Sequence, residues 1–230
     1  MILAKYSKII ISSGPTREWI DPVRFISNAS SGKMGYCLAA EAAHLVKDVV
    51  YIRGLTEPKY SEPKGARVVK VETTLEMRDA VLKEVDSSSI LIMAAAPADF
   101  RPKNANESKI KKEEGSDTLV LELIKNPDIL VSVQEKIQAK NLKDVLRIGF
   151  SAETDLLDQN ALGKLRKKNL DFIVGNYVGK DSKGFGDLDT SVIIFGKEGS
   201  KKEIGPASKE IIAKGILEYL DILSKQESII

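Results

Sequence analysis

The chain has 230 residues, 43% of them hydrophobic and 30% charged, enough to bury a substantial core in one large or two small domains. A net charge of +2 makes no case for a nucleic-acid partner, and a single cysteine excludes an intrachain disulfide. No apolar run approaches the ~20 residues of a membrane span, and the first eleven residues lack a signal-peptide core, so a cytoplasmic enzyme is expected.

Strand and helix signals alternate along the chain. Ile9, Ile10 and Ile11 read as a buried strand that runs into Gly14, and 36–46 reads as the first helix. Cys37 is expected to be a small core residue there, and His44 to complement the helix C-terminus. Strands follow at 49–52 and 67–71 around a Pro/Gly loop at 54–65. A helix over 75–85 is capped by Thr73 or Thr74. The continuous apolar run 90–93 is the mark of a strand covered on both faces. This βαβαβ order predicts an α/β, doubly wound (Rossmann-like) and mainly parallel sheet, with ligands beyond the carboxyl ends of its strands.

The segment 101–115 breaks the rhythm, with Ile110 as its one apolar side chain beyond alanine and Lys103, Lys109, Lys111 and Lys112 along it. A charged run is commonly a solvated loop, but this one leaves a strand end at the expected cleft, as lids do. It is expected to be a lysine-rich lid over about 101–117. Beyond it, 118–124 reads as an alternating strand. Asn126 reads as an N-cap with Pro127 at the first helical position. Strands at 145–150, 171–175 and 191–195, helices at 156–168 and 208–223, a Gly184–Gly186 loop and a frayed tail complete a single domain over 1–230.

Residues 12–35 carry the chemistry. A strand emptying into a glycine-bearing loop before a helix offers backbone N–H groups and a positive dipole to an anion. Neither familiar phosphate loop fits: Ser27 and Met34 break the Walker spacing, and Ser30 breaks G-x-G-x-x-G. An ordinary αβ turn with a serine cap remains an alternative on spacing alone.

The segments SSGPTREWIDPVRFISNASSGKMG, AAAPADF (94–100), KIKK (109–112), KNPDIL (125–130), GFSAET (149–154) and KLRKKNLDFIVGN (164–176) run in the order and spacing of bacterial phosphopantothenate–cysteine ligase, which the chain resembles over nearly its whole length. The resemblance implies the amide-forming step of coenzyme A synthesis. The carboxylate of 4′-phosphopantothenate attacks the α-phosphorus of CTP, pyrophosphate leaves, and the amine of L-cysteine displaces CMP from the acyl-cytidylate. It implies the CTP-using branch in a stand-alone form without the fused decarboxylase or its flavin. It also implies Mg²⁺ carried on the nucleotide phosphates and not in a protein cage, a homodimer, and a separate decarboxylase acting next.

By matching motif, Asn28 and Lys109 are the implied catalytic residues, Asn28 as an amide donor and Lys109 at the α-phosphate. The implied nucleotide contacts are Gly14, Ser30, Ser31, Gly32 and Gly35 for phosphates, with Ala95 and Ala96 giving room and Asp99 an acid. Pro127, Asp128, Ile129 and Leu130 would read the base, Phe150 would supply an apolar face, and Lys164 and Lys168, four apart on one helix face, would supply cations. Pro97 and Ser151 depart from the family pattern without removing a needed donor. An NAD(P)-dependent oxidoreductase of the same fold, disfavoured by the missing glycine motif, and a nucleotide-binding protein without turnover are the competing readings.

Overall fold

The computed structural model describes residues 5–111, 118–179 and 188–226, with side chains as far as 221. Its centre is an eight-stranded sheet. Strands β1 (Lys8–Ser13), β4 (Val49–Arg53), β5 (Arg67–Lys70), β6 (Ser89–Met93), β9 (Leu146–Glu153) and β10 (Phe172–Tyr177) run parallel. Strand β11 (Thr190–Gly196) is antiparallel to β10, and β12 (Lys201–Ala207) closes the edge antiparallel to β11. The spatial order is β12-β11-β10-β9-β6-β1-β4-β5, so the chain reverses its direction of travel across the sheet between β1 and β6. In doubly wound sheets that switch point is where a crevice opens.

Burial follows the period of two. Ile9 and Ile11 face one layer, where α1 (Lys33–Leu45) and α5 (Lys209–Gln226) contribute Leu38, Ala42, Ile212 and Ile216. Ile10 faces the other, where α2 (Thr74–Glu84), α3 (Ile129–Lys140) and α4 (Leu157–Lys167) contribute Met77, Val81, Val133, Ala161 and Leu165. Every residue of β6 is buried, as expected for a strand sandwiched between helices. Each such aliphatic side chain contributes roughly 1.5–3 kcal/mol by leaving water.

Two small hairpins stand outside the sheet. Strands β2 (Arg17–Trp19) and β3 (Phe25–Ser27) pair within the long loop after β1, and β7 (Phe100–Pro102) pairs with β8 (Leu123–Lys125). Neither hairpin nor β12 follows from the alternating pattern of the sequence. Of the expected strand over 118–124 only Leu123 and Ile124 fall in β8; the Lys103 N–H donates to Glu122 O at 2.9 Å just before it, and Val120 is 89% exposed. Asn126 is not the cap of α3. Asp128 is, accepting from the backbone N–H of Leu130 and Val131, while the Asn126 amide donates to Ala98 O at 2.9 Å. β9 runs three residues past the expected 145–150, through Ser151, Ala152 and Glu153. The Gly184–Gly186 loop, Lys112 and the last four residues lie outside the described residues.

Candidate functional site

Three strand ends build the site. β1 ends in Ser12 and Ser13, both fully buried; Ser12 Oγ accepts from the Ala95 N–H at 3.2 Å, and Ser13 Oγ donates to Gly32 O at 2.8 Å. The Ser12 bond ties β1 to the residues after β6, and the Ser13 bond seats the start of α1 on β1. Gly35 is required for that approach, since a Cβ there would lie 2.5 Å from Ser13 Cβ and 3.0 Å from Ser12 O. Gly32 is the N-cap in the left-handed region (φ 81°), so the serine cap of the alternative reading is absent; the hydroxyls of Ser30 and Ser31 accept from the N–H groups of Gly32 and Lys33 at 3.4 and 3.3 Å.

Beyond these ends lie two adjoining cavities. The first, about 310 Å³, is walled by Ser30–Gly35, Ala94–Ala96, Phe150 and the lysines Lys33, Lys164 and Lys209. The second, about 500 Å³, is walled by Pro127, Asp128, Ile129, Leu130, Asn126, Lys167 and Lys168. Ala95, Asp99 and Phe150 belong to both, so the two lobes meet over the end of β6. The structure thus brings together Ser30, Ser31, Gly32, Gly35, Ala95, Ala96, Asp99, Phe150 and Lys164 in one lobe, and Pro127–Leu130 with Lys168 in the other.

Lys164 and Lys168 stand one helical turn apart, the Lys168 N–H donating to Lys164 O at 3.0 Å, but they line different lobes. α4 ends at Lys167, and Lys168, its C-cap, turns to Asp128 at 2.8 Å in the second lobe. Lys164 Nζ instead donates to Glu153 Oε1 at 2.6 Å and to Ser151 Oγ at 3.0 Å, and Ser151 Oγ donates to the same carboxylate. Burial raises the Glu153 carboxyl, but these donors outweigh it and hold it below its ordinary value. Gly14 lines neither cavity; its carbonyl accepts from the Ala96 N–H at 2.9 Å, tying the β1 and β6 ends together.

Asn28 and Lys109 also lie outside the cavity walls. Asn28 sits just past β3, and its amide nitrogen donates to Ala96 O (3.2 Å) and Pro97 O (3.0 Å), so both N–H groups meet backbone in this state. Lys109 is exposed, but its neighbour Ile110 is anchored: its N–H donates to Asp21 Oδ2 at 3.1 Å, and its carbonyl accepts from Arg24 Nη2 at 2.9 Å. The Asn106 N–H donates to Ile20 O at 2.9 Å. Asp21 is 1% exposed, and the Arg24 guanidinium, with the N–H groups of Val23, Ile110 and Arg24, holds its carboxyl far below the usual range. The segment is fastened to the tip of the first hairpin.

A buried network that single-residue reading missed supports the floor. Glu18, 3% exposed, accepts from the Thr74 N–H at the start of α2 (2.9 Å) and from Thr16 Oγ1 (3.2 Å); Thr16 Oγ1 in turn accepts from the Ala98 N–H (2.9 Å). Lys209 and Asn176 were missed for another reason: each looks like an ordinary helix-start or strand-end residue until the fold closes. Cys37 is inert, since burial pushes its thiol up to about 12.

The profile of the DNA/pantothenate metabolism flavoprotein C-terminal domain matches residues 4–223. The chain belongs to that family. It is 43% identical over 219 residues to the coenzyme A biosynthesis bifunctional protein CoaBC of Bacillus subtilis (strain 168), covering 95% of this chain and 52% of the relative. It is 40% identical over 213 residues to that of Vibrio cholerae serotype O1, covering 93% and 52%. The chain therefore spans about half the length of these curated relatives. Among solved structures, the C-terminal domain of a CoaBC protein superposes with a TM-score of 0.75 at 34% identity over 96% of both chains. The Streptococcus pneumoniae DNA/pantothenate metabolism flavoprotein shares the fold at 22% identity and a TM-score of 0.75, over 94% of this chain and 99% of that one. Among the described residues no helix is long and apolar enough to cross a membrane.

Proposed function

We propose that the chain is a CTP-dependent phosphopantothenate–cysteine ligase of coenzyme A synthesis. The observation that carries this is the pair of lobes joined at Ala95, Asp99 and Phe150. The lobe with the α1 N-terminus and three lysines suits the triphosphate, and the lobe with the 127–130 turn suits the base. Family membership supplies the reaction, and the relatives whose C-terminal halves match are bifunctional proteins of coenzyme A biosynthesis.

In this reading the pantothenate carboxylate forms a bond to the α-phosphorus, and the bond to the pyrophosphate oxygen breaks. The cysteine amine then attacks the acyl carbon, loses a proton, and CMP leaves with the electron pair of the acyl–oxygen bond. The protein mainly holds anions in place and offsets their charge. Lys164, oriented by Glu153 and Ser151, faces the phosphates. Asn28 stands where the hairpin meets the β6 end, and its amide would exchange the Ala96 and Pro97 carbonyls for the acyl-cytidylate. Lys109 rides on the segment anchored at Ile110 and would act as the lid cation. Mg²⁺ would travel as counter-ion of the nucleotide phosphates, whose oxygens suit a hard cation. Acyl activation on a nucleotide is not a redox step and calls for no flavin.

The proposal includes a homodimer, with the two hairpins as its contact. Val23, Phe25, Phe100 and Leu123 are all at least 40% exposed there, a surface that sedimentation should find covered. It also includes cytoplasmic action and a decarboxylase activity that uses the product. Incubation with phosphopantothenate, cysteine, Mg²⁺ and either CTP or ATP, followed by mass detection, should give phosphopantothenoylcysteine, CMP and pyrophosphate with CTP. Absence of product with either nucleotide would overturn the reading.

A further inference from the structure

The hairpin of β2 and β3 forms its own two-stranded sheet, so no ladder of the central sheet sets its height against the end of β6. Asn28, just past β3, is exposed, and hydrogen bonds set where its amide lies. Both sides of that arrangement are held by one residue, Thr16, which is fully buried. Its carbonyl accepts from Ser27 Oγ at 2.7 Å, which fixes the strand one residue before Asn28. Its hydroxyl oxygen accepts from the Ala98 N–H at 2.9 Å, which fixes the turn whose Ala96 and Pro97 carbonyls receive the Asn28 amide. A hydroxyl has one proton, so its direction must be set for that oxygen to accept. Glu18 Oε1 accepts from it at 3.2 Å, and the Thr74 N–H donates to the same carboxylate oxygen at 2.9 Å and holds it in place. Thr74 Oγ1 completes the set, 2.8 Å from Thr16 Oγ1 and 3.2 Å from Ala98 O. Glu18, Thr16, Thr74 and Ala98 are each 4% exposed or less. Loss of a member would leave a buried polar group unpaired, so the set favours one arrangement of hairpin and turn.

We infer that Thr16 is a positioning residue for Asn28, with Glu18 orienting its hydroxyl, and that together they hold the Asn28 amide in register with the turn over which the two lobes meet. This rests on the ligase reading only for what Asn28 does in turnover; its placement is a property of the chain by itself. Thr16 touches neither cavity and acts through the residues on either side of it.

The placement is read without turnover by nuclear magnetic resonance of the full chain carrying labelled asparagine nitrogen, the Asn28 side-chain signals being identified by their loss in Asn28→Asp. In the parent they should lie away from the positions of a free amide and relax with the backbone. Thr16→Val and Glu18→Leu should move them to free-amide positions with raised mobility, whereas Thr16→Ser and Glu18→Gln, which keep the hydroxyl and an acceptor oxygen, should not. In ligase assays Thr16→Val should lower kcat about ten- to thirtyfold with each KM within about threefold, and Thr16→Ser should restore it. In the Asn28→Asp background the same change should cost less than about threefold, because the group it places is already gone. Ser27→Ala breaks only the hairpin side; it should act as a milder Thr16→Val and carries both tests if that variant does not fold. Unmoved Asn28 signals, or equal loss of kcat with and without Asn28, would overturn the inference and leave Thr16 a part of the fold alone. A parent that makes no product would sink the ligase reading instead, while the resonance result still judges the placement.

Discussion

The two ends of the central sheet solve the problem of charge differently. Where the strands begin, ionic groups satisfy one another. Glu84 takes Lys8 at 3.3 Å and Arg67 at 2.6 Å, and Asp171 takes Lys197 at 3.0 Å and the Arg147 N–H at 2.8 Å. Where the strands finish, the side chains are small, α1 is capped by Gly32, and paired lysines (Lys33 with Glu210, Lys164 with Glu153, Lys168 with Asp128) line cavities. Ion pairs away from any cavity serve the fold; ion pairs that border empty volume hold cations where a guest can reach them. The contrast shows that charge count alone says little, and that placement against volume decides.

The strongest way to break this contrast is to fill the close approach on the functional end. Gly35→Ala should cost about 1–3 kcal/mol or more, because the new Cβ meets buried Ser13 and the Ser12 carbonyl with no flexible group to yield. Thermal melts should show the loss, and ligase activity should disappear.

Next in size are the two residues that the family pattern assigns to chemistry. Asn28→Asp and Lys109→Gln should each lower kcat by about a hundredfold or more, with small changes in melting temperature, since neither side chain belongs to the core. Unchanged turnover in Lys109→Gln would return the 101–111 segment to a mere surface loop.

Asp21 sharpens the comparison, because it is an internally satisfied pair placed at the functional end. Its folded carboxyl is depressed by Arg24, so its stabilising contribution is full above the ordinary carboxylate value of 3.8 and is lost as pH falls below it. Melts taken from pH 7 down to 2 should fall less steeply in Asp21→Asn than in the parent. At pH 7 the variant should melt lower and turn over about tenfold more slowly, through loosening of Ile110.

The smallest effect belongs to the opposite end. Glu84→Gln should cost on the order of 1 kcal/mol, since Arg67 is half exposed, and should leave kcat/KM unaltered. A marked loss of activity would show that the two ends are coupled.

Much of this was present in the sequence. The runs at 9–11 and 90–93 give parallel, fully covered strands because both faces must be apolar, and the alternation of element types dictates a doubly wound order. The switch point between β1 and β6 then follows, and with it the nearness of Ser30–Gly35 to Ala95, Ala96 and Asp99. Local pattern failed where a choice depended on a distant partner. Asn126 and Asp128 are both good cap residues, and distant partners draw Asn126 from that role: its amide nitrogen donates to Ala98 O and its Oδ1 accepts from Arg101 Nη1, each at 2.9 Å.

Linear order by itself thus determined the sheet, its helical layers and the family chemistry, since burial periodicity and motif spacing are local properties. Tertiary structure alone decided that the cleft has two lobes, that Lys164 and Lys168 part company between them, that Asp21 fastens the segment carrying Lys109, and that Lys209 closes the first lobe. Those outcomes rest on contacts between residues tens to more than a hundred positions apart, which no spacing rule encodes.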